Sequence, residues 1–337
     1  MLSPKIPALE DHDLPKYQQQ DQISPELRDL VLSMPREKGW VATYLHQYQG
    51  FWHTTRQVQG VLSCQNHFRA NDTDIILVTA PKSGTTWLKA IMFSLLNRSL
   101  FPDPEKRHPL LTTNPHVLVP FLELDLYVDH RLPTLSAGAA NNSSLFSTHL
   151  PYVSLPESAK ASKCKLVYLC RNPKDTFVSL WHFTNRLRLE GQGQNSLAES
   201  FDKFCKGVSL SGPFWEHCLG YWKASSERPD KVLFLRFEDM KRDQAFHVRR
   251  LAEFIGCPFS EEEEARGLVQ NILELCSFER LSSLEVNKSG KLPAGEANKA
   301  FFRRGEVGDW VNYLTTDMAA KLDAIVEDKL CGSGLKF

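Results

Sequence analysis

The sequence predicts an α/β fold: a single domain built on an open parallel sheet, flanked by helices on both faces, with a phosphate-binding strand-loop-helix. Two observations predict it. An apolar strand-like run followed by a turn and a helical pattern occurs three times, and such alternation implies parallel pairing in a doubly wound sheet. No internal repeat, low-complexity linker or composition shift divides the 337 residues, of which 42% are hydrophobic and 24% charged. That length and composition suffice for one large core.

The first unit starts at Ile75–Thr79 (IILVT), a β-branched run with the profile of a strand buried on both faces. Apolar residues at Trp87, Leu88, Ile91, Met92 and Leu95 then take helical spacing, predicting a helix over Thr85–Arg98. The second unit is Lys165–Cys170 (KLVYLC), which leads through RNPKDT into an amphipathic stretch from Phe177, with Pro173 suited to a first helical turn. The third is Val232–Phe237 (VLFLRF), followed by a helical stretch through Ile255 that Gly256 and Pro258 stop. Leu145–Thr148 is a weakly signalled fourth strand, and 101–116, 131–144 and 190–196 read as loops. Residues 1–23, rich in Pro, Asp and Gln and without the signature of a secretory leader, are expected to be a flexible tail, leaving 24–337 as the domain.

Composition narrows the function. The 40 basic and 40 acidic residues cancel, so no overall field draws in a nucleic acid or an anionic membrane, and a basic site must be local. No apolar run reaches the roughly 18 to 20 residues of a bilayer crossing. The eight cysteines show no zinc-like spacing, which favours free, mostly buried thiols in a reducing, cytosolic setting.

The local basic site is found in ILVTAPKSGTTWLKA, Ile76–Ala90. A strand that turns into a helix presents unpaired N–H groups and the positive helix end at one spot. Gly84 lets backbone approach an anion, Lys82 adds a full charge, and Ser83, Thr85 and Thr86 add hydroxyl donors. The spacing is not that of the nucleotide-binding loop Gly-x-x-x-x-Gly-Lys-Ser/Thr, because the lysine precedes the glycine.

APKSGTTWLKA closely resembles the 5′-phosphosulfate loop of the cytosolic sulfotransferases, with Ala80 where that family usually has tyrosine. YLCRNPKDTFVSLWHF (168–183) resembles the family's 3′-phosphate segment, and FFRRGEVGDW (301–310) its C-terminal Arg-Lys-Gly-x-x-Gly-Asp-Trp segment. With EKGW at 37–40 and CSFERLSSLEVNK at 276–288, the match covers most of the chain from about residue 30 and is similar in wording to plant soluble members of the flavonoid, steroid and small-phenol branch.

The resemblance implies a donor, 3′-phosphoadenosine 5′-phosphosulfate (PAPS), used without a metal, and a small acceptor bearing a hydroxyl. It implies that Lys82 with Ser83, Gly84, Thr85 and Thr86 holds the 5′-phosphosulfate. Trp87 and Phe278 would sandwich the adenine, near Cys276. Arg171, Ser179, Arg303, Arg304 and Gly305 would take the 3′-phosphate, and Ser179 would also join Lys82 and His149 in the catalytic set. His149, in FSTHLP, would be the general base, titrating near neutrality. Animal members carry lysine where Ser147 stands, and they dimerise through a charged segment whose places here are taken by Val311, Thr315, Thr316 and Ala320, which points to a monomer. The competing readings are an ATP-dependent small-molecule kinase, which would need a magnesium carboxylate, and a non-catalytic nucleotide-binding protein. The stretches Tyr48–Thr55 and His116–His130 read equally as acceptor pocket or as core. The run Glu261–Glu264 reads as a solvated helix start.

Overall fold

The computed structural model describes residues 23, 25–102, 104–128, 144–189, 191 and 193–337. The expected tail at 1–23, apart from Ile23, and nearly all of loop 131–144 lie outside the described residues.

Four parallel strands, β4 (Ile75–Thr79), β5 (Leu145–Thr148), β6 (Lys165–Cys170) and β7 (Val232–Arg236), lie side by side in the order β5-β4-β6-β7. β4, β6 and β7 were legible as apolar runs because both faces of the sheet are covered, whereas β5, LFST, ends in two polar residues and was only weakly signalled. Alternation divides the runs: Ile76, Val78, Leu166, Tyr168 and Val232 point into one core, and Ile75, Leu77, Val167, Leu169, Leu233 and Leu235 into another. The helix Thr85–Asn97 closes the second core with Leu88, Ile91, Met92 and Leu95. The helices Pro173–Leu187 and Phe214–Glu227 close the first with Phe177, Val178, Trp215 and Cys218.

The third unit differs in detail from the expectation. Phe237 opens a short helix, Phe237–Arg242, and a second helix, Gln244–Phe254, follows it. Asp243 separates them, its carboxylate accepting from the N–H of Phe246 as a cap rather than continuing the helix.

A small antiparallel sheet precedes these units: β1 (Arg36–Lys38), β2 (Tyr44–Tyr48) and β3 (Phe51–His53). No local pattern announced it, since strands of three to five residues are too short to carry a periodic signal. Trp40, beside it, is almost fully buried and donates from its indole N–H to the carbonyl of Val208 at 3.0 Å.

Glu261–Ala265 is a helix capped by Ser260, and its side chains pair outward: Glu262 with Arg266, Glu263 with Arg98 and Glu264 with Arg249. All eight cysteines carry free thiols, five of them buried.

Candidate active site

Chain leaving β4 turns to β5 on one side and is followed by β6 on the other, so a crevice opens at the carboxyl ends of the strands. All four ends supply it. β4 runs into Lys82–Gly84, β5 into His149, β6 into Arg171 and β7 into Phe237, and all of these line one cavity of about 570 Å³ except the buried Ser83.

At the β4 end, Gly84 has φ 109° and a Cβ there would lie 2.8 Å from the Phe237 ring, so the residue before the helix must lack one. Lys82 also takes a left-handed backbone, φ 70°, and its Nζ stands 4.0 Å above the Phe183 ring. The Ser83 hydroxyl is buried with no hydrogen-bond partner. Thr85 is tied back to the strand, its hydroxyl 2.6 Å from that of Thr79. The Thr86 hydroxyl meets His116 Nε2 at 2.9 Å.

At the β5 end, contacts from Glu123, His217 and Thr79, whose hydroxyl also lies 3.2 Å from Nδ1, fix His149. Its N–H donates to Glu123 Oε1 at 2.7 Å, its carbonyl lies 3.1 Å from His217 Nε2, and its ring Nδ1 lies 2.7 Å from the Thr79 carbonyl oxygen. A carbonyl only accepts, so Nδ1 carries the proton and Nε2 keeps its lone pair. Phe121 covers the ring at 4.6 Å. Burial, with Lys89, His217 and Lys82 nearby, holds the imidazole down to about 3, so it is neutral across the ordinary range rather than titrating near neutrality.

At the β6 end, Arg171 donates to the Glu306 carbonyl at 2.5 Å and pairs with Asp175 at 3.4 Å. Asp175, wholly buried, accepts from the N–H groups of Gly308 and Trp310 at 2.7 and 3.0 Å, which locks the C-terminal segment onto the helix Pro173–Leu187. Arg303 and Arg304 both pair with Asp309. The Nε atoms of Arg171 and Arg303 are buried without a partner. Ser179 faces the same cavity from the helix.

Around the remaining wall stand Trp87, edge-on to Phe237 at 5.5 Å, and Phe278. Gly305 has φ 69° and passes so close to Phe278 that a Cβ would lie 2.8 Å from its ring. Cys276 is wholly buried, its sulfur 3.5 Å from the Ser94 hydroxyl, and burial pushes its thiol up to about 12.

Every candidate residue thus borders one cavity, except Ser83, whose side chain is buried beneath the turn. Of the two stretches left open between pocket and core, Tyr48–Thr55 is mostly core, with Phe51, Trp52 and His53 buried and Thr54 alone reaching the cavity. Residues 116–128 are pocket, through His116, Val117, Pro120, Phe121, Leu124, Asp125 and Val128. Sequence reasoning assigned no role to Lys89, inside the phosphosulfate-loop match, to His116 and Glu123, inside the stretch His116–His130, or to Arg186. Burial with Arg186, Arg303 and Arg171 around it brings Lys82 down to about 7. So much cationic character, with three orphaned donors, is a cradle built for a polyanion. Among the described residues no group of three or more His, Cys, Asp or Glu is arranged to hold a metal, and no helix is long and apolar enough to cross a membrane.

Residues 72–334 match the family model described as the sulfotransferase domain. Cytosolic sulfotransferase 12 of Arabidopsis thaliana is 50% identical over 325 residues, 96% of this chain and 98% of that one, and cytosolic sulfotransferase 15 of the same plant is 49% identical over 328, covering 96% and 90%. A crystal structure of an Arabidopsis thaliana sulphotransferase superposes with a TM-score of 0.74 at 43% identity, covering 96% of this chain and 99% of that one. A mouse sulfotransferase complexed with PAP does so with 0.65 at 27%, covering 86% and 95%. With a cationic turn and a fixed histidine at the strand ends and a near full-length match in sequence and fold, the chain belongs to the plant cytosolic sulfotransferase family and is a sulfotransferase.

Proposed function

We propose that the protein transfers a sulfuryl group from PAPS to a hydroxyl of a small, largely apolar acceptor such as a flavonoid, brassinosteroid or phenol, with His149 as general base. One observation carries this reading: His149 is locked in the tautomer that leaves the Nε2 lone pair free to accept a proton, in the cavity that also holds Lys82 and the arginine cluster. The PAP-bound mouse relative supports the choice of donor.

The residues divide the work. Lys82 and the Ser83–Thr86 turn hold the 5′-phosphosulfate; Arg171, Arg303, Arg304, Ser179 and Gly305 hold the 3′-phosphate; Trp87 and Phe278 hold the adenine between them. His149 Nε2 takes the proton from the acceptor hydroxyl as its oxygen bonds to sulfur. The bond between sulfur and the bridging oxygen breaks, and Lys82 neutralises the charge left on the 5′-phosphate. Positioning and electrostatics account for the catalysis, as in other loose group transfers. The apolar wall of Phe121, Leu124, Val128 and Leu210 suits a flat acceptor.

The test incubates the purified chain with PAPS and a mixed panel of flavonoids, steroids and simple phenols, without magnesium, and reads by mass spectrometry any product heavier by one SO3. Product from the parent, cut about 10²- to 10⁴-fold in His149→Ala, is the expected result. Binding of ATP with magnesium in place of adenosine 3′,5′-bisphosphate would overturn it. We further propose that 24–337 acts as one domain and as a monomer. Val311, where charged dimer contacts stand in animal relatives, is 61% exposed, and light scattering is expected to return the mass of a single chain.

A further inference from the structure

We propose that Lys89 and His116 are positioning residues that aim the Thr86 hydroxyl proton at the donor's 5′-phosphosulfate; the inference rests on the donor reading above. Lys89 stands one helical turn beyond Thr86 in Thr85–Asn97 and is wholly buried. A lysine in that place is costly to desolvate and calls for a reason. Its Nζ lies 3.0 Å from His116 Nδ1 and 3.4 Å from the centre of the Phe121 ring, which takes the cation on its face.

An ammonium donates and never accepts, so His116 Nδ1 must present its lone pair and the ring proton must reside on Nε2. Nε2 lies 2.9 Å from Thr86 Oγ1. Its N–H therefore fills a lone pair of that hydroxyl, and the hydroxyl's own proton turns outward, toward the cavity that Thr86 lines in the helix's first turn. With the opposite tautomer Thr86 would donate to His116 and show only lone pairs to an incoming anion. The buried charge is thus delivered to the phosphate loop as the direction of a dipole.

The imidazole is held to this task. Its backbone N–H donates to Asn114 Oδ1 at 2.8 Å, and Asn114 Nδ2 donates to Asn287 Oδ1 at 2.8 Å. The ring is stacked on Phe121, centroids 5.6 Å apart and 24° between planes, and packs at 4.3 Å against Phe301. It has no freedom to flip and exchange its nitrogens.

The test measures the dissociation constant of adenosine 3′,5′-bisphosphate and the KM and kcat with PAPS for the full chain and for Thr86→Val, Thr86→Ser, His116→Leu, His116→Gln, Lys89→Met and the doubles with Thr86→Val. A hydrogen bond to a charged group lost in Thr86→Val, His116→Leu or Lys89→Met is expected to weaken binding by about ten-fold each. In the Thr86→Val background the other two changes are expected to add nothing beyond about two-fold, because all three act through one proton. His116→Gln, whose amide also accepts at one atom and donates at the other, and Thr86→Ser are expected to stay close to the parent. Multiplying effects, a glutamine as poor as leucine, or a Thr86→Val that binds as the parent does would each overturn the inference. Where His116→Leu or Lys89→Met fails to fold, His116→Gln with and without Thr86→Val decides the same question. A parent that binds no bisphosphate overturns the donor reading, and this inference with it; a parent that binds while Thr86→Val binds equally overturns this one alone.

Discussion

Lys82 shows how far one residue's surroundings set its chemistry. Burial and three nearby guanidinium groups hold its ammonium down to about 7 from an ordinary value of 10.5. Between those values the unfolded chain binds a proton that the unliganded folded chain does not, so this residue makes the unliganded fold more stable as pH rises through that window and less stable below it. A bound polyanion reverses the balance by restoring the charge. Binding of adenosine 3′,5′-bisphosphate at pH 8 is therefore expected to draw close to one proton from solvent onto Lys82. Calorimetry in two buffers of different ionisation enthalpy reads this directly, and a heat independent of buffer would contradict it; Lys82→Gln is expected to reduce the uptake. Lys82, Gly84 and the threonines were legible because charge, hydroxyls and a flexible residue stand side by side between a strand and a helix. Lys89 was not: in sequence it is one polar residue between Leu88 and Ala90, and only the fold puts a histidine from the separate short helix Pro115–Leu118 at its tip. Glu123, which pins the backbone at His149, was hidden for the same reason.

At the scale of elements, the helix Pro173–Leu187 and the segment 301–310 depend on each other through Asp175. Its carboxylate satisfies two backbone N–H groups of the segment and balances Arg171. Asp175→Asn leaves that arginine short of a counter-charge and presents a donor to one of those N–H groups. A loss of about 3 kcal/mol in urea unfolding is expected, together with weaker bisphosphate binding. Gly305→Ala tests the turn itself, since φ 69° strains any Cβ and that Cβ meets the Phe278 ring. It is expected to lose about 1–2 kcal/mol and to weaken adenine binding by displacing that ring, read as a rise in the bisphosphate dissociation constant. Three of the parallel strands and their helices were legible because burial on both faces makes each a largely apolar run; β5, LFST, was only weakly signalled because Ser147 and Thr148 interrupt that pattern. The sheet of β1–β3 was not, because Arg36–Lys38 is exposed and charged and its pairing with Tyr44–Tyr48 depends on geometry that no local pattern encodes.

In the molecule as a whole, the parallel sheet separates two cores, and the cavity sits where chain from both is brought to the strand ends. Its wall includes Val41 near one end of the described chain and Gly305 near the other. A ligand that fills it touches the antiparallel sheet's margin, the loops after all four parallel strands and the C-terminal segment at once. It works as a reversible cross-link, tying together stretches that would otherwise separate at different points of unfolding. At a hundred times its dissociation constant such a ligand adds about 2.7 kcal/mol to the folded state. The rise in melting temperature on adding bisphosphate then reports whether strand ends, loops and C-terminal segment are all in place, and a variant that melts normally alone but gains nothing from the ligand has lost the junction between its parts while keeping each part intact.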